Sequence, residues 1–424
     1  FIKVLNDERE SGQSMHHNMA SSMPHYGVSV STDRYELQWK NAIILDPDHN
    51  ASIALMLHGS IHDSKQTFGH RFYNVNQKNG YAQLMYETDI TDRHNLSVGA
   101  SVNHDYYKEN YCLNSFAYDL LSAKDKETTS GVYAQYTYKL DDLFTFMGGV
   151  RYDYSSVYGS FFTPRVHIKY SPNEVFTVRA SVGKGYRKPH ALAENTSIFA
   201  TGYSIKDNGL NFLNYKQEEA WNYGLSTGFD IPIGEKNLEL NAEYYYTDFK
   251  NLLIMNVRAG AGEVIFENLQ GNSFSHTLQI DATYPLFEGL SVTAAYRFND
   301  VRCTYDGELR WKPLTSRYKG LLTLSYKTPL ELWQFDVTGQ LIGPSALYDG
   351  THSPAYGLLN AQITREFRYF SIYVGGENLT GYKMKNPIIG AENPFSTHFD
   401  ATQIWGPTDG AMGYIGIRFK FERN

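Results

Sequence analysis

Apolar and polar residues alternate one for one along most of this 424-residue chain. That period of two calls for extended strands, because a helix would repeat its apolar face about every 3.6 residues. After Asp142, one face carries Phe144, Phe146, Gly148, Val150, Tyr152 and Tyr154, and the other Thr145, Met147, Gly149, Arg151 and Asp153. Phe176, Val178, Ala180 and Val182 oppose Thr177, Arg179, Ser181 and Gly183. Leu238, Leu240, Ala242, Tyr244 and Tyr246 oppose Glu239, Asn241, Glu243, Tyr245 and Thr247. Near the carboxy end, Ile415, Ile417, Phe419 and Phe421 oppose Tyr414, Gly416, Arg418 and Lys420, and a final strand with alternate aromatics suits barrel closure.

One face of each strand suits lipid and the other water, the pattern of a transmembrane β-barrel. Aromatic residues make up 15% of the chain, yet its mean hydropathy is -0.44. No apolar run approaches the roughly 18 residues a membrane helix needs, whereas alternating strands average to a polar hydropathy. Connections alternate as well. Short turns at Asp46 to Asn50, Thr91 to Asn95, Asp141 to Asp142, Ser171 to Asn173, Ile231 to Asn237, Pro285 to Gly289 and Pro329 to Leu332 are separated by longer linkers. The long ones include Glu109 to Lys126, Lys184 to Tyr215, Tyr305 to Ser316, Gly343 to Tyr356 and Thr380 to Ala411. In outer-membrane barrels the short turns face the periplasm and the long loops the outside.

The fold expected is all-β, an antiparallel transmembrane β-barrel with about 17 strands of a 22-stranded barrel. Such barrels close with an even number, so about five strands on the amino-terminal side are expected to belong to the same wall. Residues 1–26 are read as an extracellular loop and 27–424 as the carboxy-terminal part of the barrel. Phe1-Ile2-Lys3-Val4 has no charged-then-apolar leader pattern, which implies an export signal removed or not included.

The formal charge of -7 leaves no basic footprint for nucleic acid. The two cysteines, Cys112 and Cys303, make neither a disulfide framework nor a zinc spacing, and are read as unpaired. No nucleophile elbow, phosphate-binding loop or HExxH pattern occurs, so an enzyme is not expected.

Several local motifs carry a family resemblance. Thr163-Pro164-Arg165, then Lys169-Tyr170-Ser171-Pro172-Asn173, lead into Arg179-Ala180-Ser181-Val182-Gly183-Lys184-Gly185-Tyr186-Arg187-Lys188-Pro189, followed by Ala193-Glu194-Asn195. This run resembles the central hairpin of TonB-dependent outer-membrane receptors, especially the Bacteroidetes type. Asn214 to Asn222 resembles the start of the next strand, Gly376-Glu377-Asn378-Leu379-Thr380 the end of the penultimate one, and Gly413 to Phe421 the terminal one. The resemblance covers residues 130–424. It implies the cell outer membrane, import of a scarce nutrient, and partnership with amino-terminal strands, a plug domain and, through the plug, the TonB complex. Neither plug nor TonB-contacting segment is legible in this chain. The implied ligand is a small molecule: a metal chelate such as siderophore-bound iron or haem, or cobalamin.

Two groups of residues are candidates for binding. Met15, His16, His17, Met19, Met23 and His25 combine thioethers and imidazoles, ligands that suit copper if a loop gathers them, although a polar surface loop has the same composition. Arg187, Lys188 and His190 after the central hairpin, with Tyr382, Trp405 and Asp409 near the last loop, offer cations for an anionic ligand and flat aromatic contact; solvated rim residues are the alternative. Two other functions share the alternation, a passive porin and a surface β-protein or adhesin.

Overall fold

A computed structural model describes residues 1–13, 25–114 and 119–420. Nineteen strands form one antiparallel sheet in chain order. They are β1 (Ile2–Gly12), β2 (Gly27–Asp46), β3 (Ala51–Phe68), β4 (Arg71–Thr91), β5 (His94–Cys112), β6 (Leu121–Leu140), β7 (Phe144–Ser155), β8 (Gly159–Asn173), β9 (Phe176–Arg187), and, past a short β10 (Ser204–Lys206), β11 (Glu218–Ile233) and β12 (Lys236–Asn251). After the hairpin of β13 (Leu253–Arg258) and β14 (Glu263–Asn268) come β15 (Ser273–Phe287), β16 (Leu290–Tyr305), β17 (Glu308–Trp311), β18 (Tyr318–Lys327), β19 (Trp333–Ile342), β20 (Tyr356–Glu366), β21 (Phe370–Glu377) and β22 (Met412–Phe419). β10, β14 and β13 make a separate three-stranded sheet. Among the described residues β1 pairs only with β2 and β22 only with β21, so the wall has two open edges.

The alternation read from the sequence is the alternation of the wall. On β7, Val150, Tyr152 and Tyr154 are exposed outward while Asp153 is buried; on β22, Ile415, Ile417 and Phe419 stand fully outward, Ile415 at 75%. A belt of exposed aliphatic and aromatic side chains of this extent needs an apolar medium around it. Ile415→Arg should therefore destabilise the lipid-inserted state by about 2–4 kcal/mol, whereas Gln362→Lys, on a position facing the lumen, should change it little. Urea titration of refolding into lipid vesicles measures both; equal effects would contradict this assignment of faces.

The segment 1–26, expected to be a loop, contains a wall strand. β1 pairs along β2 from Ile2↔Leu37 to Gly12↔Gly27. Ile2 and Val4 lie beside the outward Leu37 and Tyr35, and the charged run Asp7 to Glu10 lies against Thr32 to Ser29. The apolar period fades there because the strand pairs with the end of β2 farthest from the Asp46 turn, so alternation no longer marks it as a strand. For the same reason the expected long linker from Glu109 to Lys126 is largely strand: β5 runs on to Cys112 and β6 begins at Leu121. Both cysteines are buried, on β5 and β16.

The densest apolar packing lies at the long-loop end. Loop residues Leu192, Ile198, Phe199, Phe212 and Tyr215 pack with Val264 and Phe266 of β14 against Phe68, Tyr73 and Tyr111 from the ends of β3, β4 and β5. The wall encloses a polar interior, so a compact core forms only where loops fold over it.

Candidate ligand chamber and loop cap

The roof is tied together by buried polar contacts. Arg71, at the start of β4, donates from Nη1 to the Thr201 carbonyl at 2.6 Å and from Nη2 to the Tyr203 carbonyl at 2.5 Å, clamping the 188–217 loop to the wall. The last loop crosses to the same place. Asp400 is 0% exposed; its carboxylate accepts from the Thr402 backbone N–H (2.8 Å), the Thr402 hydroxyl (2.7 Å), Gln403 Nε2 (2.9 Å) and the Tyr203 hydroxyl (3.2 Å). Backbone bonds from Gly202 to Phe399 (2.7 Å) and from Ala401 to Ala200 (3.1 Å) complete the seam. Gly202 must be glycine here, since a Cβ would collide with the Ser396 carbonyl. Beside the seam, Phe395 and Phe399 pack on Tyr26, and Phe395 on His70.

On the inner wall of β4 to β9 lies a cavity of about 360 Å³. Its lining includes Tyr107, Asp105, Asp125, Glu127, Lys188 and His190. Lys188, whose side chain is 10% exposed, reaches back from the loop so that Nζ lies 2.6 Å from Asp125 and 3.9 Å from Glu127. The Ser155 hydroxyl donates to Glu127. Asp105 accepts from Asn79 at 2.8 Å and Asn103 at 2.5 Å. Deeper, Arg151 forks onto Asp153 at 2.7 and 2.6 Å, donates to Ser101 at 2.8 Å, and shares Asp153 with the Tyr186 hydroxyl at 2.8 Å. Gly131 makes room for this carboxylate; any Cβ there would strike it.

His190 stacks on Tyr107 with ring centroids 3.9 Å apart and planes 21° from parallel. Burial, then the neighbouring Lys188 charge, pushes its imidazole down to about 4 from 6.5. A depressed histidine favours the folded cap above pH 6.5, and this contribution is lost as pH falls from 6.5 to about 4, on the order of 3 kcal/mol in all. Proton NMR of the imidazoles should show one histidine titrating near pH 4 and missing from His190→Phe; a midpoint near 6.5 for His190 would contradict its burial.

The first three ligand candidates thus come together in one chamber. Both cations already hold carboxylates there: Arg187 donates to Glu218 at 2.8 and 2.5 Å and lies 2.9 Å from Glu194. An anion reaches the enclosed Lys188 by displacing a carboxylate, whereas Arg187 is more than half exposed. Tyr382, Trp405 and Asp409 form a second group and do not line the chamber. Tyr382 stacks on Tyr356 at 4.8 Å, Trp405 packs on the same ring at 5.9 Å, and Asn378 Nδ2 donates to the carbonyls of Tyr382 (2.7 Å) and Asp409 (3.1 Å). Of the metal candidates, Met15, His16, His17, Met19 and Met23 lie outside the described residues. His25 Nε2 is 2.5 Å from the Gln13 carbonyl. Sequence reasoning missed Asp105, Tyr107, Asp125 and Glu127. The i, i+2 spacing of Asp105 with Tyr107 on β5 and of Asp125 with Glu127 on β6 was the available signal, and reading Glu109 to Lys126 as linker separated the two pairs.

An outward apolar belt, a polar lumen and long loops at one end define an outer-membrane β-barrel. The family model described as TonB dependent receptor-like, beta-barrel, matches residues 20–379, and the chain belongs to that family. Among solved structures it is similar to the copper transporter OprC, at 13% identity and a TM-score of 0.71, covering 99% of this chain and 72% of that one. It is also similar to the FrpB iron transporter from Neisseria meningitidis (13%, 0.60, covering 93% and 69%). The siderophore receptor PiuA from Acinetobacter baumannii gives 13% and 0.63, covering 93% of this chain and 65% of its own. At such identity the likeness is one of fold. No curated protein matches the chain by sequence.

Proposed function

We propose that this barrel wall serves a receptor that draws a scarce small nutrient through the outer membrane, and that the ligand is held in the chamber beneath the cap. The observation that carries this reading is the chamber itself. It is a lumenal cavity of about 360 Å³, within the range of small-molecule sites, where Arg187, Lys188 and His190 meet under a roof of loops. The ligand class is a metal chelate, siderophore-bound iron or haem, or cobalamin, of which a cavity of this size takes one acidic or flat group while the rest lies outside it. Acidic groups of the ligand would exchange with Asp125 for Lys188, and flat groups would lie on Tyr107 or on the Tyr356, Tyr382 and Trp405 rings. In this reading, amino-terminal strands fill the wall between β22 and β1, whose edges would otherwise invite aggregation, and a plug occupies the lumen and couples to TonB. The roof of folded loops disfavours a passive porin.

Native mass spectrometry of the full-length receptor purified from its own membrane tests the reading. A bound small molecule that is lost in His190→Ala is expected; a molecule retained equally would move the site elsewhere.

Copper is the second reading, favoured by the methionines and histidines between Met15 and His25 and by the likeness to a copper transporter. Calorimetry on the intact receptor should then show saturable copper binding that disappears when Met15, His16, His17, Met19, Met23 and His25 are replaced together. Unchanged binding would remove copper at this loop.

A further inference from the structure

A second cavity, of about 340 Å³, opens at the loop end away from the chamber, between the β16–β17 hairpin, β13 and the 343–355 loop. Tyr305, Trp311, Tyr348, His352, Arg302 and Arg310 are among its lining residues. Its three walls are fastened to one another. Asp306 at the hairpin tip binds Asn256 of β13 at 3.0 Å and pairs with Arg258. The Leu314 N–H donates to the Ala346 carbonyl at 2.9 Å, and the Arg317 N–H to the Pro344 carbonyl at 3.0 Å. The Tyr348 N–H donates to Gln403 Oε1 at 3.3 Å, and Gln403 also donates to Asp400, so this pocket is anchored to the cap seam.

Guanidinium groups in and beside this pocket exceed what their carboxylates satisfy. Arg302 Nε and Trp311 Nε1 both donate to one oxygen of Asp300, each at 3.0 Å, and the Arg302 Nη groups have no partner among the described residues. Arg310 uses Nε and Nη2 on Glu308 at 3.0 and 2.8 Å, leaving Nη1. The Arg317 guanidinium lies over Trp311, 4.3 Å from the ring centroid, and 5.6 Å from that of Phe298. Its buried Nε has no hydrogen-bond partner, and the carboxylate whose charge it feels, Asp300, already accepts from Arg302 and Trp311. A guanidinium held against an indole with its buried Nε unsatisfied, beside an aromatic cavity that two more arginines line, has hydrogen-bonding capacity left for an anion. It suits an anion carried on a flat ring, with the guanidinium N–H groups taking the charge and the aromatic walls taking the ring.

We propose that this pocket is a second ligand site, separate from the lumenal chamber, which takes a small planar aromatic acid with its carboxylate toward Arg302 and Arg310. A pocket of this volume lies at the small end of ligand sites and fits one substituted ring. None of its residues belongs to the chamber, so the inference does not depend on what the chamber holds.

The probe is benzoate, titrated into the full-length receptor in detergent and followed by tryptophan fluorescence and by saturation-transfer NMR of the benzoate protons. Saturable binding is expected, and both Arg310→Gln and Arg302→Gln should weaken it by about tenfold or more, as loss of a charge-assisted contact does. Lys188→Met should leave it unchanged. Benzylamine, with the opposite charge, should not bind, and cyclohexanecarboxylate should bind more weakly than benzoate. Absence of saturable benzoate binding would overturn the proposal. So would affinity unmoved by both arginine variants, or lost in Lys188→Met, which would place the probe in the chamber.

Discussion

Replacing Asp400 by alanine is expected to release the loop cap while the wall stays folded. The variant strips a buried acceptor from the Tyr203 hydroxyl, Gln403 Nε2 and both donors of Thr402. Charge-assisted bonds of this kind contribute about 1.5–3 kcal/mol each, and buried donors left unpaired add to the loss. Protection from amide exchange in 196–206 and 396–403 should therefore fall roughly a hundredfold, on the order of 3 kcal/mol, while the paired strands β4 to β6 keep theirs. Gly202→Ala attacks the same seam from the steric side and should give the same pattern more mildly, through the Ser396 carbonyl. Protection unchanged in both variants would show that the seam does not hold the cap.

Lys188→Met should have the second largest effect. Asp125 and Glu127 would then share the lumen wall with no cation between them. Removing one partner of a buried pair leaves an uncompensated charge; in a lumen reached by water the cost should be about 1–3 kcal/mol. Adding Asp125→Asn should recover part of that stability by removing one of the two charges, while ligand binding stays lost. Urea unfolding in detergent and native mass spectrometry separate the two effects. A single variant with wild-type stability and wild-type ligand content would reduce the Lys188 pair to a solvated contact.

The wall was legible in the sequence because lipid and water on opposite faces impose a period of two that few other environments impose. Val150, Tyr152 and Tyr154, or Ile415, Ile417 and Phe419, announce their strand wherever lipid is the outer solvent. The signal fails beyond the apolar belt. β1 and the ends of β5 and β6 are paired strands whose outward residues are polar, so Asp7 to Glu10 and Glu109 to Lys126 read as loop. The Arg187, Lys188 and His190 group was found because a motif led to it. The pairing with its carboxylate partners on β6 and β11 left no local pattern, since the fold, not sequence distance, brings Asp125 to Lys188 and Glu218 to Arg187. The seam between Tyr203 and Asp400 joins residues almost 200 positions apart, and the Trp311 pocket unites a hairpin, a strand and a loop distant in sequence; neither leaves a local pattern. Strand-face periodicity describes the wall, while what sits on it depends on contacts only the folded loops create.

The most direct test of ligand capture beneath the cap is the structure of the full-length receptor, purified from its own outer membrane with whatever it carries. Density for a small molecule against Tyr107, Lys188 and His190, with the cap seam at Asp400 closed above it, is the expected result. A bound ligand lying elsewhere, with this chamber filled only by water, would contradict the account.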